Sequence, residues 1–350
     1  MMHFNEWVND SPITKQELNV LFPGNNKYHT PDSEGVIDKF FKYTDPLDYH
    51  LKQTHQLDLN SIGATQLIDQ LFAYYVDDDT LVITTELEHN AVKANLKKCK
   101  NVLAIKTDQF NNILHNDYSI IKDLINESKK FKKCFVYIIG MQNAYMIATP
   151  NQFFEQLKQE FVHNNINHTL CIDAVQEFFL TPRDYTIFDY VIGTAHATVS
   201  NHNLGFLIRK NNIHSFCDPG LIDDLYLFLL QLDILFKRKN KLDSFKQVIA
   251  QYFEAHFNGR YIQLDSVDYA FSCKIDCNLS FEEYQYLESI IARKYDISLS
   301  PFPGYIIVRL RAPSVVLGVN FNNDHRTNGR LSLEEGIKKV FVMISMLMDR

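Results

Sequence analysis

From Leu59 to Lys210 the chain alternates short apolar runs with stretches of helical spacing, and no other feature of the sequence constrains the fold as much. The runs at Leu81 to Thr84, in NVLAIKTD and in CFVYIIGMQN, and those closing near Asp173, near His196 and at Lys210, read as strands. The third of these reads as a buried strand ending in Gln142 and Asn143. Between them lie helical patterns: from Ala64 through Leu67, Ile68, Leu71 and Phe72, after His89, over about 118–130, and in NQFFEQLKQEFVHN, which Pro150 opens. Strand and helix in this succession predict right-handed βαβ crossovers and a mainly parallel sheet. Side chains at the carboxyl ends of such strands face one crevice, where ligands bind. Thr65, His89, Asn143, Asp173 and His196 all fall at strand ends of this kind.

Length and charge set outer limits. A chain of 350 residues has room for a large domain and a smaller one. The net charge of −7, from 35 basic and 42 acidic residues, provides no basic patch for nucleic acid. With no run of about eighteen apolar residues, no transmembrane helix is expected. Six scattered cysteines without a CxxC pair, and no secretory leader, fit a reducing cytosol. Cys273 and Cys277, with His163 and His168, are the only hint of metal ligands, and they are not spaced like a zinc site.

Residues 1–55 are polar, with prolines at 12, 23, 31 and 46, and predict an N-terminal arm carrying short helices, one near Gly35 to Tyr43. Residues 56–235 form the expected large α/β domain, and residues 236–350 a small α+β domain. After a turn at Asp218-Pro219-Gly220, long helical material continues to about Phe257, its apolar positions suited to core or dimer surface. YIQLD, DYAFSCKID, a helix near Ser280 to Arg293, the strand GYIIVRLRAP and a final helix from Ser332 complete the chain. In that strand Arg309 and Arg311 point to the same side, because side chains alternate with period two. Near the start of the alternating region, Gly63 ends a short extended piece. The helix from Ala64 then presents free backbone N–H groups that suit a phosphate. Taken alone, the same residues also read as a plain helix start with Ser61 or Thr65 near the cap.

In order, SIGAT at 61–65, TELEHN at 85–90, MQN at 141–143, DAVQ at 173–176 and GTAHATVSNHNLGFL at 193–207 resemble fold-type I pyridoxal-phosphate enzymes. The likeness is strongest to class V aminotransferases, a group that includes cysteine desulfurases and related lyases and epimerases, and it spans roughly residues 55–215. It implies the PLP transferase fold, type I, with a seven-stranded, mainly parallel sheet. It also implies pyridoxal 5'-phosphate as cofactor, an amino-acid substrate converted through an external aldimine and a Cα carbanion, and a homodimer. By the same resemblance, Gly63, Ala64 and Thr65 bind the cofactor phosphate with Thr194 and His196. His89 stacks on the pyridine ring, Asp173 pairs with its nitrogen, and Gln176 and Asn143 lie at or beside the phenolic oxygen. An arginine for the substrate carboxylate is expected at Arg309, with Arg311 as the alternative, since a guanidinium fork suits a carboxylate.

The departure from the family is at Ala197. Where class V enzymes carry Ser-x-His-Lys, this chain reads Thr194, Ala195, His196, Ala197, so the catalytic lysine of the internal Schiff base is missing. That lysine holds the aldehyde and shuttles the Cα proton. The next lysine, Lys210, closes a strand and is out of reach. A Gly-Pro-x-Gly type sequence in the family is here Ser200, Asn201, His202, Asn203. Two explanations stand. One is an introduced Lys→Ala change that traps an active enzyme, favoured by the retained Asp173, Thr194 and His196. The other is a natural lysine-free homologue, favoured by the lost glycines, that serves as a binding or scaffold protein or uses a lysine-independent mechanism, with His202 either a base or a solvated loop residue. Cys217, Cys273 and Cys277 lack any motif of a desulfurase's nucleophilic cysteine.

Overall fold

Continuous apolar runs are the mark of strands covered on both faces, and here they build one seven-stranded sheet. Its strands are β1 (His55–Asn60), β2 (Thr80–Thr85), β3 (Val102–Ile105), β4 (Lys133–Ile139), β5 (His168–Asp173), β6 (Tyr190–Thr194) and β7 (Gly205–Lys210). The order is β1-β7-β6-β5-β4-β2-β3. Strands β2 to β6 pair in parallel, and β7 alone runs backwards, antiparallel to both β6 and β1. The computed structural model describes residues 14–21, 32–106, 118–197, 203–211, 213, 221–257, 261–264, 266–277, 279–295, 297–302, 304–311 and 342. The expected turn at 218–220, His202, Cys217 and, apart from residue 342, everything after Arg311, with the expected helix from Ser332, lie outside that set.

The helices are α1 (Lys15–Leu21), α2 (Ser33–Thr44), α3 (Leu51–Thr54), α4 (Ala64–Tyr75), α5 (Asn90–Leu96), α6 (Tyr118–Ser128), α7 (Asn151–His163), α8 (Ile222–Phe236), α9 (Lys239–Phe257) and α10 (Phe281–Tyr295). Alternation along the strands divides the core in two. Val82, Phe135, Tyr137, Cys171, Ile192 and Leu207 face α4, whose Leu67, Ile68, Leu71 and Phe72 form the covering stripe. Their neighbours Ile83, Val136, Ile138, Ile172, Val191 and Ile208 join the larger cluster with α7 and α8. Helix α2 belongs to that second side. Asp32 caps it, accepting from the Gly35 N–H at 2.8 Å, and its Phe40 ring packs 5.4–5.8 Å from Phe178, Phe179 and Phe206.

Three local differences from the sequence reading have physical causes. β4 stops at Ile139 rather than running to Asn143. Gly140 and a lone bridge between Met141 and Ala148 turn the chain, with Met146 at φ 56°. The long helical stretch is two helices, with Lys237 and Arg238 between them. Arg238 there donates to the Ile234 carbonyl at 2.8 Å and pairs with Glu17 of α1. The α8 apolar positions, Leu225 to Leu235, are core of this chain.

A second sheet of four antiparallel strands, ordered β10-β11-β9-β8, comprises β8 (Ile262–Gln263), β9 (Ala270–Asp276), β10 (Ile297–Phe302) and β11 (Tyr305–Arg311). β10 is the third difference, a strand that the sequence reading left out. Its Ser298, Ser300 and Pro301 look like loop, and Pro301 is tolerated because β10 lies at the edge. This sheet docks on the segment after β4. Ser272 Oγ donates to the Tyr145 carbonyl at 2.6 Å, the Val267 N–H to Met146 O at 3.0 Å, and Tyr145, Ile147, Leu264 and Ile307 pack together. No described helix is long and apolar enough to cross a membrane.

Candidate functional site

Asp173 ends β5, the fourth of the seven strands, level with Ile139 of β4 and Ile192 of β6. Only 3% of it is exposed. Its carboxylate accepts from the Tyr137 hydroxyl and the Val175 N–H, both at 3.1 Å. Burial raises its pKa, against the pull of those two donors and of His89 nearby.

A second acid lies close by that sequence reasoning passed over. Glu88, in the turn after β2, is 2% exposed. Its Oε1 accepts from Thr85 Oγ1 at 2.7 Å and from the Ile139 N–H at 3.0 Å, while Oε2 has no partner among the described residues. Burial pushes this carboxyl up to about 8, and the charge on Asp173 adds to the effect. Glu88 is therefore mostly protonated at neutral pH. Nothing in TELEHN separates it from Glu86, which is exposed.

The loop between β1 and α4 is held by contact between two glycines. Gly63 takes φ 88°, a conformation that L side chains resist, and opens α4 without a side-chain cap, leaving the first-turn N–H groups of Ala64 and Thr65 to other partners. Gly205 backs directly onto it. A Cβ at Gly205 would sit 2.9 Å from the Gly63 carbonyl carbon. Gly205 pairs in turn with Thr194, the last residue of β6. The Thr194 hydroxyl donates to Leu204 O at 3.0 Å, so its contact at 2.8 Å with His196 Nδ1 is one in which the ring donates. His196 is exposed, and Ala197 beside it is 6% exposed.

His89 caps α5 with Nδ1, which accepts from the Ala91 N–H at 3.3 Å, and its ring is exposed. Gln176, three residues past Asp173, has a buried Oε1 without a partner among the described residues. Asn143 meets the second sheet. The Arg309 guanidinium donates through Nη1 to both the backbone carbonyl and Oδ1 of Asn143, and through Nη2 to Ser298 Oγ at 2.8 Å. Arg311 ends β11 opposite Ala270, and its side chain lies outside the described residues. Lys210 is at the far end of β7, five residues or about 17 Å from Gly205, with Nζ on Asp189 at 2.5 Å. Contacts thus join Gly63 to Gly205, Gly205 to Thr194 and Thr194 to His196, and Asn143 to Arg309, while Lys210 lies at the opposite end of β7.

Behind this edge runs a buried ion pair that the sequence did not announce. Arg183 binds Glu177 with two bonds of 2.6 Å and also donates to Asn151 Oδ1 at 2.7 Å, Thr149 O at 2.9 Å and Gly140 O at 3.3 Å. It ties the turn after Asp173 to the segment carrying Asn143. Gly140 has no side chain because a Cβ there would sit 2.4 Å from Glu177 Oε1.

No protein-family model matches the chain, and no curated protein does. Solved structures match over nearly the whole length. A NifS-like protein from Rickettsia africae superposes with TM-score 0.65 at 12% identity, covering 96% of this chain and 98% of its own. Histidinol-phosphate aminotransferase from Clostridium acetobutylicum gives 0.60 at 14%, covering 100% of each. The chain has the PLP transferase fold, type I. A pyridoxal-phosphate-bound C-S lyase from Staphylococcus hominis shares that type I fold at TM-score 0.57 and 12% identity, over 96% of this chain and 88% of the other. Open α/β sheets carry their ligands at the carboxyl ends of the parallel strands, the edge at which Asp173 and Thr194 lie. Among the described residues no three His, Cys, Asp or Glu side chains are grouped to hold a metal ion.

Proposed function

We propose that the chain binds pyridoxal 5'-phosphate and an amino-acid ligand in this crevice, in the manner of class V aminotransferases, and that Ala197 leaves it slow or inert in turnover. The observation that carries this reading is Asp173, a buried carboxylate at the end of the central strand with only neutral donors on it. Such a group calls for a cation, and a protonated pyridine nitrogen supplies one. The uncapped start of α4 and the unpartnered Gln176 Oε1 support the fit to the rest of the cofactor.

When bound, the cofactor provides an electron-accepting ring that stabilises negative charge on a substrate carbon. Asp173 holds the proton on the ring nitrogen. His89, its orientation fixed by the Ala91 N–H, covers one ring face. Gln176 and Asn143 lie at the phenolic oxygen. Gly63, Ala64 and Thr65 give N–H groups to the phosphate, with Thr194 and His196 beside them. Arg309, or Arg311 from the same strand, takes the ligand carboxylate. The 56–235 and 236–350 divisions become the large and small domains of a cytosolic homodimer, and the exposed Ile62 in the loop before α4 suits a surface that a second subunit covers. A methyl group at 197 neither holds an aldehyde nor moves a proton.

The test compares the wild-type chain with Ala197→Lys. Both are expected to bind pyridoxal phosphate. Only the variant should develop a visible absorption band that borohydride abolishes while fixing the cofactor to residue 197. Turnover of an amino acid by the variant would identify an otherwise complete active site, whereas binding without turnover would identify a lysine-free binding protein. Absence of cofactor binding by both chains would refute the site.

A further inference from the structure

We infer that Glu88 is a positioning residue, which bridges a gap between the ends of β2 and β4 and so fixes His89 relative to Asp173. The inference rests on the proposed cofactor site, where His89 covers the ring and Asp173 meets its nitrogen, and it goes beyond that site by naming what keeps the two in register.

The gap is a property of the sheet. β2 and β4 pair from Thr80 with Lys133 to Ile83 with Val136, and the pairing stops there. Beyond that point Thr84 and Thr85 stay with β3, beside Ala104 and Ile105, while Tyr137, Ile138 and Ile139 stay with β5, beside Cys171, Ile172 and Asp173. Over the last two or three residues of each strand, about 7–10 Å, no ladder joins β2 to β4. A buried N–H facing such a gap needs an acceptor from elsewhere.

Glu88 supplies it. The chain turns after β2, and the turn is closed by the Leu87 N–H donating to Thr85 Oγ1 at 3.3 Å. The Glu88 side chain then points back into the gap. Its Oε1 accepts from the Thr85 hydroxyl of β2 at 2.7 Å and from the Ile139 N–H of β4 at 3.0 Å, so one oxygen ties both strand ends together. Ile139 is level with Asp173, and the next N–H, that of Gly140, donates to the Asp173 carbonyl at 2.8 Å. On its other side Glu88 is bonded directly to His89, which lies near enough to Asp173 to act on its carboxyl. The route from one cofactor contact to the other is therefore His89, Glu88, Ile139, Asp173. Burial keeps Glu88 neutral near pH 7, so the bridge needs an acceptor oxygen rather than a charge. An amide of the same shape can provide that oxygen.

The experiment measures binding of deoxypyridoxine phosphate, a cofactor analogue without the aldehyde that cannot bond to surface lysines, by calorimetry and by the circular dichroism induced in its ring. The full chain is compared with Glu88→Leu, Glu88→Gln and Thr85→Val. Glu88→Leu, which loses the acceptor, is expected to bind about ten-fold more weakly and to give a smaller dichroic signal per bound ring. Glu88→Gln should match the wild type in both. Thr85→Val removes one of the two bonds and should fall between, and it decides the matter if Glu88→Leu does not fold. Wild-type affinity and dichroism in a folded Glu88→Leu, or in Thr85→Val where that is the deciding variant, would overturn the inference and leave the cofactor site standing. So would a Glu88→Gln protein that behaves like Glu88→Leu, because the acid and not the bridge would then be what matters. If the wild-type chain binds no analogue, the cofactor site and the inference fall together.

Discussion

Replacing Arg183 by Met tests whether the ion pair behind the crevice sets the stability of the ligand edge. The side chains of Glu177 and Arg183 are 0% and 2% exposed, so solvent cannot take over when one partner is removed. Methionine retains most of the apolar stem, so the loss is electrostatic rather than a cavity. Breaking one side of a buried pair costs about 3–5 kcal/mol, because an uncompensated charge remains. The carbonyls of Thr149 and Gly140 also lose a donor, at about 1 kcal/mol each. A loss of about 5–7 kcal/mol is therefore expected in urea unfolding. Adding Glu177→Gln to the variant removes the stranded charge and should restore at least half of the loss. A single variant within about 1 kcal/mol of wild type, or a double variant no better than the single, would refute this account.

Glu88 and the glycine contact give two more expectations. Burial raises the Glu88 carboxyl from 4.5 to about 8, so the protonated acid is the native form. Its contribution to stability is fully present below pH 4.5 and lost as pH rises through about 8. Glu88→Gln should flatten the pH dependence of urea unfolding across that window, and curves that stay parallel would count against it. Gly205→Ala places a Cβ 2.9 Å from the Gly63 carbonyl carbon. It should cost about 1–3 kcal/mol by overpacking and weaken pyridoxal phosphate binding in equilibrium dialysis, whereas wild-type stability and affinity would mean that the loop is not held this way.

Much of the sheet was legible because β2, β4 and β6 are buried at nearly every position and read as unbroken apolar runs. Asp173 could be placed at a strand end for the same reason, whereas His196, read as closing the next run, lies two residues beyond Thr194, where β6 stops. Other parts depend on contacts between distant residues. Glu88 and Glu86 stand two apart in one turn, and only the packing against Ile139 and Asp173 makes the first a buried acid. Arg183 lies in TPRD, which reads as surface loop until Glu177, Thr149 and Gly140 close around it. Asn143 and Arg309 are 166 residues apart, and the sequence carried no sign that they touch. β10 was hidden by Pro301, whose edge position is a property of the finished sheet.

The reversed direction of β7 shapes how this protein can change. A parallel strand after β6 would need a crossover across one face of the sheet, where any insertion must fit against packed helices. Because β7 runs backwards, the segment 195–204 leaves and rejoins the sheet at one edge, where Thr194 faces Gly205. Its two ends are fixed in the core by Ala195 and Leu204, and the pairing of β6 with β7 does not depend on what lies between them. Exchanging that segment for a relative's is consequently a compact change, confined to one end of β6 and β7.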